Sequence, residues 1–389
     1  MTNVRAVLPD KIIENATIVV KNGLIDCIEE GPCKRVDCID GKGMYLLAGF
    51  IDIHCHGGTN YDFMDASPEE MGRIAYHHLA HGTTTLVPTT MTDNWDAIEG
   101  ALTRLQAFYQ IDGMGVLQGA HLEGPWLSPS QCGAQDSDKM DLPSLARMEK
   151  LLKTYPFITR ISVAPELNGG MQIGQEGQRR GVVMSIAHTE ADFDKTMEAA
   201  DMGYSLVTHL YSGMSGVVRK NAYRIAGAVE AALYNDRLFV EIIADGKHLP
   251  ISLLKLIVKC KGADKICLIT DAMRASGLQD GEESVLGRKE EGVPVIVEDG
   301  VAKLLDRQSF AGSIATTDRL ICVMRSAGVD LVSISKMASA TPAKVMGMTD
   351  RGSIEVGKRA DFVWLNEELL PQWVMLNGEL RYKKGEGVL

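Results

Sequence analysis

One pattern recurs through the middle of this chain: a short, nearly unbroken apolar run, then a stretch whose apolar residues return at helical spacing. The runs lie at 49–56 (GFIDIHCH), 84–90 (TTLVPTT), 116–124 (VLQGAHLEG), 160–166 (RISVAPE), 182–188 (VVMSIAH), 205–211 (SLVTHLY), 239–246 (FVEIIADG) and 265–273 (KICLITDAM). A parallel strand covered on both faces needs such a run, because neither face meets water. Stretches such as 68–81 and 145–155 supply the helices between. Eight units in succession predict an α/β fold, a (β/α)8 TIM barrel spanning 49–351.

The ends read differently. Residues 1–48 hold ATIVVKNGLIDCIEE, two β-rich runs about the hairpin dipeptide Asn22-Gly23. Residues 352–389 hold DFVWL and WVMLNGELRY, with a second such dipeptide at Asn377-Gly378. One small β-sandwich domain built from both termini, 1–48 and 352–389, is therefore expected. A further hairpin is expected at 294–305, after the eighth strand.

The chain has 40 basic and 51 acidic side chains, a formal net charge of −11, which disfavours nucleic acid or an anionic membrane surface as partner. No apolar run reaches membrane-spanning length, and the first residues lack the apolar core of a signal peptide, so a soluble cytoplasmic protein is expected. Eight cysteines, at 27, 33, 38, 55, 132, 260, 267 and 322, form no CxxC pair and read as buried thiols.

Barrel enzymes carry their chemistry at the C-terminal ends of the strands. Here those ends hold His54-Cys55-His56, His121-Leu122-Glu123, His188, Thr208-His209 and Thr270-Asp271. Alternation along a strand turns His54 and His56 to one side and Cys55 to the other. Unpaired imidazoles and carboxylates gathered at one rim are costly to desolvate, so a cation that binds them explains their presence. Imidazole nitrogen and carboxylate oxygen suit zinc first, and also iron, manganese and cobalt. Glu123 and Asp271 offset a divalent charge. His121 is open to a place facing the site or one turned from it. His77, His78 and His81, in GRIAYHHLAHG, are expected on a solvated helix face.

The motifs GFIDIHCHGG, GTTTLVPTT, HLEGPWLSP, AHT, THLYSGM, ADGKHL, ITDAM and AGS resemble those of the amidohydrolase superfamily. Within it the chain resembles the N-acetylglucosamine-6-phosphate deacetylase family, nearly end to end: MDAS at 64–67 and RGSIEVGKRADFVWL also fit. The resemblance implies Glu123, His188 and His209 as principal metal ligands and Asp271 as the catalytic acid/base beside the metal. His54 and His56 match a pair that holds a second ion in some members, where the glutamate bridges both, so one or two ions per subunit are implied. His248 matches a phosphate-side histidine. Arg219 or Arg224 matches a phosphate-binding arginine, and in the family this arginine and that histidine reach the phosphate of the neighbouring subunit, which implies a homodimer. Ala134 and the Phe310-Ala311-Gly312 loop match substrate contacts.

Two departures bear on the substrate. Ser212 and Gly213 stand where the family has Asn and Ala, and Gln135 stands where it has a histidine at the substrate's reacting end. A glutamine donates hydrogen bonds but never becomes cationic. The expected function is metal-dependent removal of the N-acetyl group from N-acetylglucosamine 6-phosphate, giving glucosamine 6-phosphate and acetate in amino-sugar catabolism. The alternatives are another N-acyl amino sugar, such as N-acetylgalactosamine 6-phosphate or an unphosphorylated amide, and a non-catalytic barrel scaffold.

Overall fold

The computed structural model of the chain describes residues 1–32, 38–111 and 115–388. Its centre is an eight-stranded parallel sheet in sequential order: β1 (Phe50–Cys55), β2 (Thr83–Thr90), β3 (Ala120–Glu123), β4 (Ile158–Val163), β5 (Val183–Ile186), β6 (Tyr204–Val207), β7 (Phe239–Ile242) and β8 (Ile266–Leu268). Just past the last strand the ends of the sheet meet: Asp271 N–H donates to the His54 carbonyl at 2.9 Å and His56 N–H to that of Ala272 at 2.8 Å. The TIM barrel is thus as expected. The apolar runs serve two cores. Phe50, Leu79, Leu86, Leu122 and Ile161 belong to the large core, whereas Ile51, Ile53, Val87, Leu206 and Ile269 form a separate cluster.

The helices start where the local chemistry predicts. Helix α1 (Pro68–Ala80) follows Ser67, whose hydroxyl accepts from Glu70 N–H while the Glu70 carboxylate accepts from Ser67 N–H. This reciprocal pair satisfies two backbone donors left open at a helix start, and proline costs nothing at the first helical position. Helix α1 differs from expectation on one face. His78 is fully buried, its Nε2 bonded to the Gly57 carbonyl at 3.0 Å, while His77 meets Ser276 and His81 meets Asp318. His78 lies inside because the turn after β1 offers it an acceptor that water otherwise supplies, whereas His77 turns to Ser276 and His81, partly exposed, pairs with Asp318.

The terminal strands join one sheet of eight: Leu24–Glu30, Ile12–Lys21, Val4–Val7, Tyr45–Ala48, Phe362–Leu365, Pro371–Leu376, Glu379–Lys383 and Gly387–Val388, in that spatial order. Its own core holds Val4, Ile18, Leu46, Phe362 and Trp364. The sheet curls until its two Asn-Gly hairpin tips touch. A Cβ on Gly23 would lie 2.7 Å from Asn377 Oδ1, so glycine, already at φ +75°, is the residue that fits. The expected later hairpin is present as Val293–Glu298 with Val301–Leu304, extended by Glu283–Leu286 into three strands. No disulfide forms among the described cysteines, and Cys33 lies outside the described residues. Among the described residues no helix is long and apolar enough to cross a membrane.

Candidate active site

The strands stop short of the runs seen in the sequence. β5 ends at Ile186, β6 at Val207 and β8 at Leu268, and just beyond them His188 (φ +42°), His209 (φ +27°) and Asp271 (φ +47°) adopt left-handed backbone. That conformation leaves the hydrogen-bond ladder and is unfavourable for a residue with a Cβ. It turns three polar side chains inward over the barrel mouth. On β1 the pairing register shifts between Asp52 and Cys55. Cys55 Sγ faces His78 at 3.3 Å, away from its histidine neighbours, as alternation predicts.

Glu123, the last residue of β3, is the hub. Its Oε1 lies 3.0 Å from His209 Nε2 and 3.5 Å from His188 Nε2. Its Oε2 lies 3.2 Å from His56 Nε2 and 3.6 Å from His54 Nε2, and those two nitrogens are 3.2 Å apart. One carboxylate thus serves two groups, Glu123–His188–His209 and His54–His56–Glu123, each with ligand atoms close enough for one metal ion. A tetrahedron with bonds of about 2.0–2.1 Å has edges of about 3.3 Å, so the spacing of the second group matches one face of a zinc-sized coordination shell. Asp271 Oδ1 stands 3.4 Å from His54 Nε2 and 3.3 Å from His56 Nε2. The donor set fits a divalent ion.

The charges point the same way. Burial disfavours the charged form of His54, yet Glu123 and Asp271 beside it raise its pKa to about 9. His56 is likewise buried, and hydrogen bonds to Asp271 and Glu123 lift it well above the usual imidazole range. Burial would raise Glu123 and Asp271, but His54 and the imidazoles around it hold both carboxyls below their ordinary values. The cluster carries an unmet demand for positive charge, which protons fill when no metal does.

A cavity of about 230 Å³ opens above these groups. His56, Glu123, His188, His209 and Asp271 form its floor, while His54 lies fully buried beneath. Ala134, Gln135, Ser212, Gly213, His248, Phe310 and Gly312 stand in its wall. Gln135 Oε1 accepts from Thr92 N–H at 3.1 Å, which turns its amide nitrogen toward Glu123 Oε2 (3.1 Å) and His188 Nε2 (3.3 Å). Gly213 sits at φ +55°, and a Cβ there would lie 2.6 Å from His188 Nδ1. The Gln131 carbonyl accepts from that nitrogen at 2.7 Å, which aims Nε2 at Glu123. His248 is tied through Nδ1 to Asp245 at 2.8 Å, and its ring lies 4.9 Å from that of Phe310, tilted by 54°.

Other residues singled out in the sequence lie outside this cavity. Ala311 is fully buried behind the wall, its N–H bonded to the Ala302 carbonyl, because the chain there pairs with the strand Val301–Leu304. Arg219 and Arg224 face each other on an exposed hairpin, Val218–Lys220 and Tyr223–Ile225, outside the cavity. His121 is fully buried and does not line the cavity, its ring held by Thr89 Oγ1 (3.2 Å) and Ser162 Oγ (2.7 Å). Leu286 and Ser309 line the cavity without having been singled out, as they come from the added three-stranded sheet and the loop after it. Arg160 and Glu241, deep in the barrel, were also passed over, although a charge inside an otherwise apolar strand marks both.

Comparison with known proteins identifies the frame. The model of the amidohydrolase family matches residues 45–384. The chain belongs to the amidohydrolase family. This amidohydrolase is 34% identical over 372 residues to an N-acetylglucosamine-6-phosphate deacetylase of Lysinibacillus sphaericus, covering 95% of this chain and 94% of the relative. It is 30% identical, with 95% of each chain covered, to an N-acetylgalactosamine-6-phosphate deacetylase of Escherichia coli O157:H7. Among solved structures, the N-acetyl-D-glucosamine-6-phosphate deacetylase of Mycobacterium smegmatis, in complex with N-acetyl-D-glucosamine-6-phosphate, superposes with a TM-score of 0.90 at 28% identity, covering 97% of the amidohydrolase described here and 98% of that chain.

Proposed function

We propose that this amidohydrolase removes the acetyl group of an N-acetylated hexosamine 6-phosphate, N-acetylglucosamine 6-phosphate first, releasing acetate and the free amino sugar phosphate. The observation that carries the reading is the meeting of Glu123, His56, His188, His209 and Asp271 on the floor of one cavity, with His54 directly beneath. Glu123, His188, His209, His54 and His56 would hold a divalent ion there, zinc in our reading, and such an ion would supply a more acidic bound water and polarisation of the carbonyl. Asp271, ionised and beside the imidazoles, takes the proton of the attacking water. It returns that proton to the amide nitrogen, which departs only once protonated. A carbon–oxygen bond forms, the carbon–nitrogen bond breaks, and the proton ends on the amine. The amide nitrogen of Gln135, aimed at the same space by Thr92, donates to the acyl oxygen as negative charge develops there.

The phosphate end of the reading rests on His248 within the cavity and on Arg219 and Arg224 outside it. The two arginines meet a phosphate only across a subunit boundary, so the reading includes a homodimer. It also includes action in the cytoplasm, where charge retains phosphorylated sugars, and residues 49–351 as the catalytic unit. The galactosamine epimer is the second reading. It is favoured by Gln135, Ser212 and Gly213, which alter the wall where the family pattern differs, and by the relative of that activity. The test is acetate release from the 6-phosphates of both N-acetylhexosamines and from their unphosphorylated forms, with zinc, manganese or iron(II) added. Faster release from a 6-phosphate is expected. Equal rates with and without phosphate remove that part of the reading, and silence on all four removes the deacetylase.

A further inference from the structure

Beneath the metal-ligand groups lies a charged pair that packing does not require. Arg160 on β4 and Glu241 on β7 are both completely buried. Arg160 Nη2 donates to Glu241 Oε2 at 2.9 Å and to the Thr208 and Ser185 hydroxyls, and its Nη1 bonds Glu241 Oε1 and the Ile53 carbonyl. A buried ion pair is a poor source of stability, since well-packed apolar residues of similar volume often replace it at no loss. Its position suggests another reason for it. Glu241 Oε2 also accepts from His54 Nδ1–H at 3.3 Å and from the backbone N–H of His209 at 3.3 Å.

We propose that Glu241, held by Arg160, is a positioning residue for both ligand groups: it fixes the ring of His54 with Nε2 free to bind, and it pins His209 in its turned-in backbone. The proposal rests on the reading of this cluster as a metal centre. An imidazole binds a cation through a lone pair, and the partner of its second nitrogen decides which nitrogen offers that pair. An ionised carboxylate only accepts, so Glu241 places the proton on Nδ1 and the lone pair on Nε2, toward His56 and Glu123. His56 Nδ1 and His209 Nδ1 are buried with no hydrogen-bond partner. The ring of His54 is therefore the one in its group with a second anchor. The same oxygen holds one residue from each group, so a shift of Glu241 disturbs both together.

Removing Glu241 alone strands a buried arginine, so the test compares two neutral, nearly isosteric pairs, R160M/E241Q and R160M/E241M. Only the glutamine still accepts from His54. Zinc content and stepwise zinc affinity are measured on the full chain, with melting temperature as the control for folding. The glutamine pair is expected to take up two ions as the wild type does. The methionine pair is expected to bind the ion at His54–His56–Glu123 about 10–100-fold more weakly. Equal zinc affinities in the two pairs overturn the proposal. A wild type that takes a single ion at Glu123–His188–His209 overturns it as well, and one that takes none overturns the metal reading with it. A second measurement needs no variant: imidazole nitrogen NMR of the zinc-loaded wild type is expected to show His54 protonated at Nδ1, and protonation at Nε2 overturns the proposal.

Discussion

At Asp271 a carboxylate is kept ionised where burial alone would protonate it, because His54 and His56 lie against it. That state is what a proton acceptor needs before water attacks. Asp271→Asn keeps the shape and loses the base, so acetate release is expected to fall by about 10²–10⁴-fold while zinc stays bound at Glu123, His188 and His209. Acetate assays paired with metal analysis of the same sample check both halves. The imidazoles make a further expectation. Without metal, His54 holds its proton up to about pH 9 and His56 holds one well above the usual range. Zinc needs their lone pairs, so loading the metal-free protein at pH 7 should expel about two protons. Calorimetry in two buffers of different ionisation enthalpy counts them, and an uptake with no proton release would contradict the charge state derived for this pair.

Helix α1 shows how an element carries a cost of its own. Burial pushes the imidazole of His78 down to about 4 and that of His77 to about 2. In the unfolded chain each titrates near 6.5. Between pH 6.5 and 4 the unfolded state therefore binds more protons than the folded one, and stability falls as the pH falls through that window. For His78 the loss amounts to about 3 kcal/mol by pH 4. His78→Gln, which keeps a donor for the Gly57 carbonyl, is expected to flatten the melting temperature against pH over this range. Elements such as α1 were legible in the sequence because spacing, Ser67 and Pro68 are local facts. So was the parity that sets His54 and His56 against Cys55. The turning-in of His188, His209 and Asp271 was not, since left-handed backbone at a residue with a Cβ is imposed by its surroundings. Nor was the Arg160–Glu241 pair, whose members stand on separate strands and meet only when the barrel closes.

For the whole molecule, the cavity gathers the groups of the proposed hydrolysis, and the exposed hairpin carrying Arg219 and Arg224 is the proposed contact for the phosphate. Tyr223 on that hairpin is 78% exposed, an unusual place for an aromatic side chain in a lone subunit. If the hairpin serves the neighbouring cavity, the double variant R219A/R224A should raise KM for the 6-phosphate by about 10–100-fold. Hydrolysis of the unphosphorylated sugar should not change. Steady-state kinetics on both substrates decide it, and equal effects on the two would break the link to phosphate. A last consequence concerns synthesis. The strand Tyr45–Ala48 has Val4–Val7 on one side but must wait for Phe362–Leu365 on the other. At ordinary translation rates that partner emerges about 15–60 s later. If the N-terminal strands pair before then, the newborn chain displays a raw β edge throughout that interval, open to adhesion between ribosome-bound neighbours.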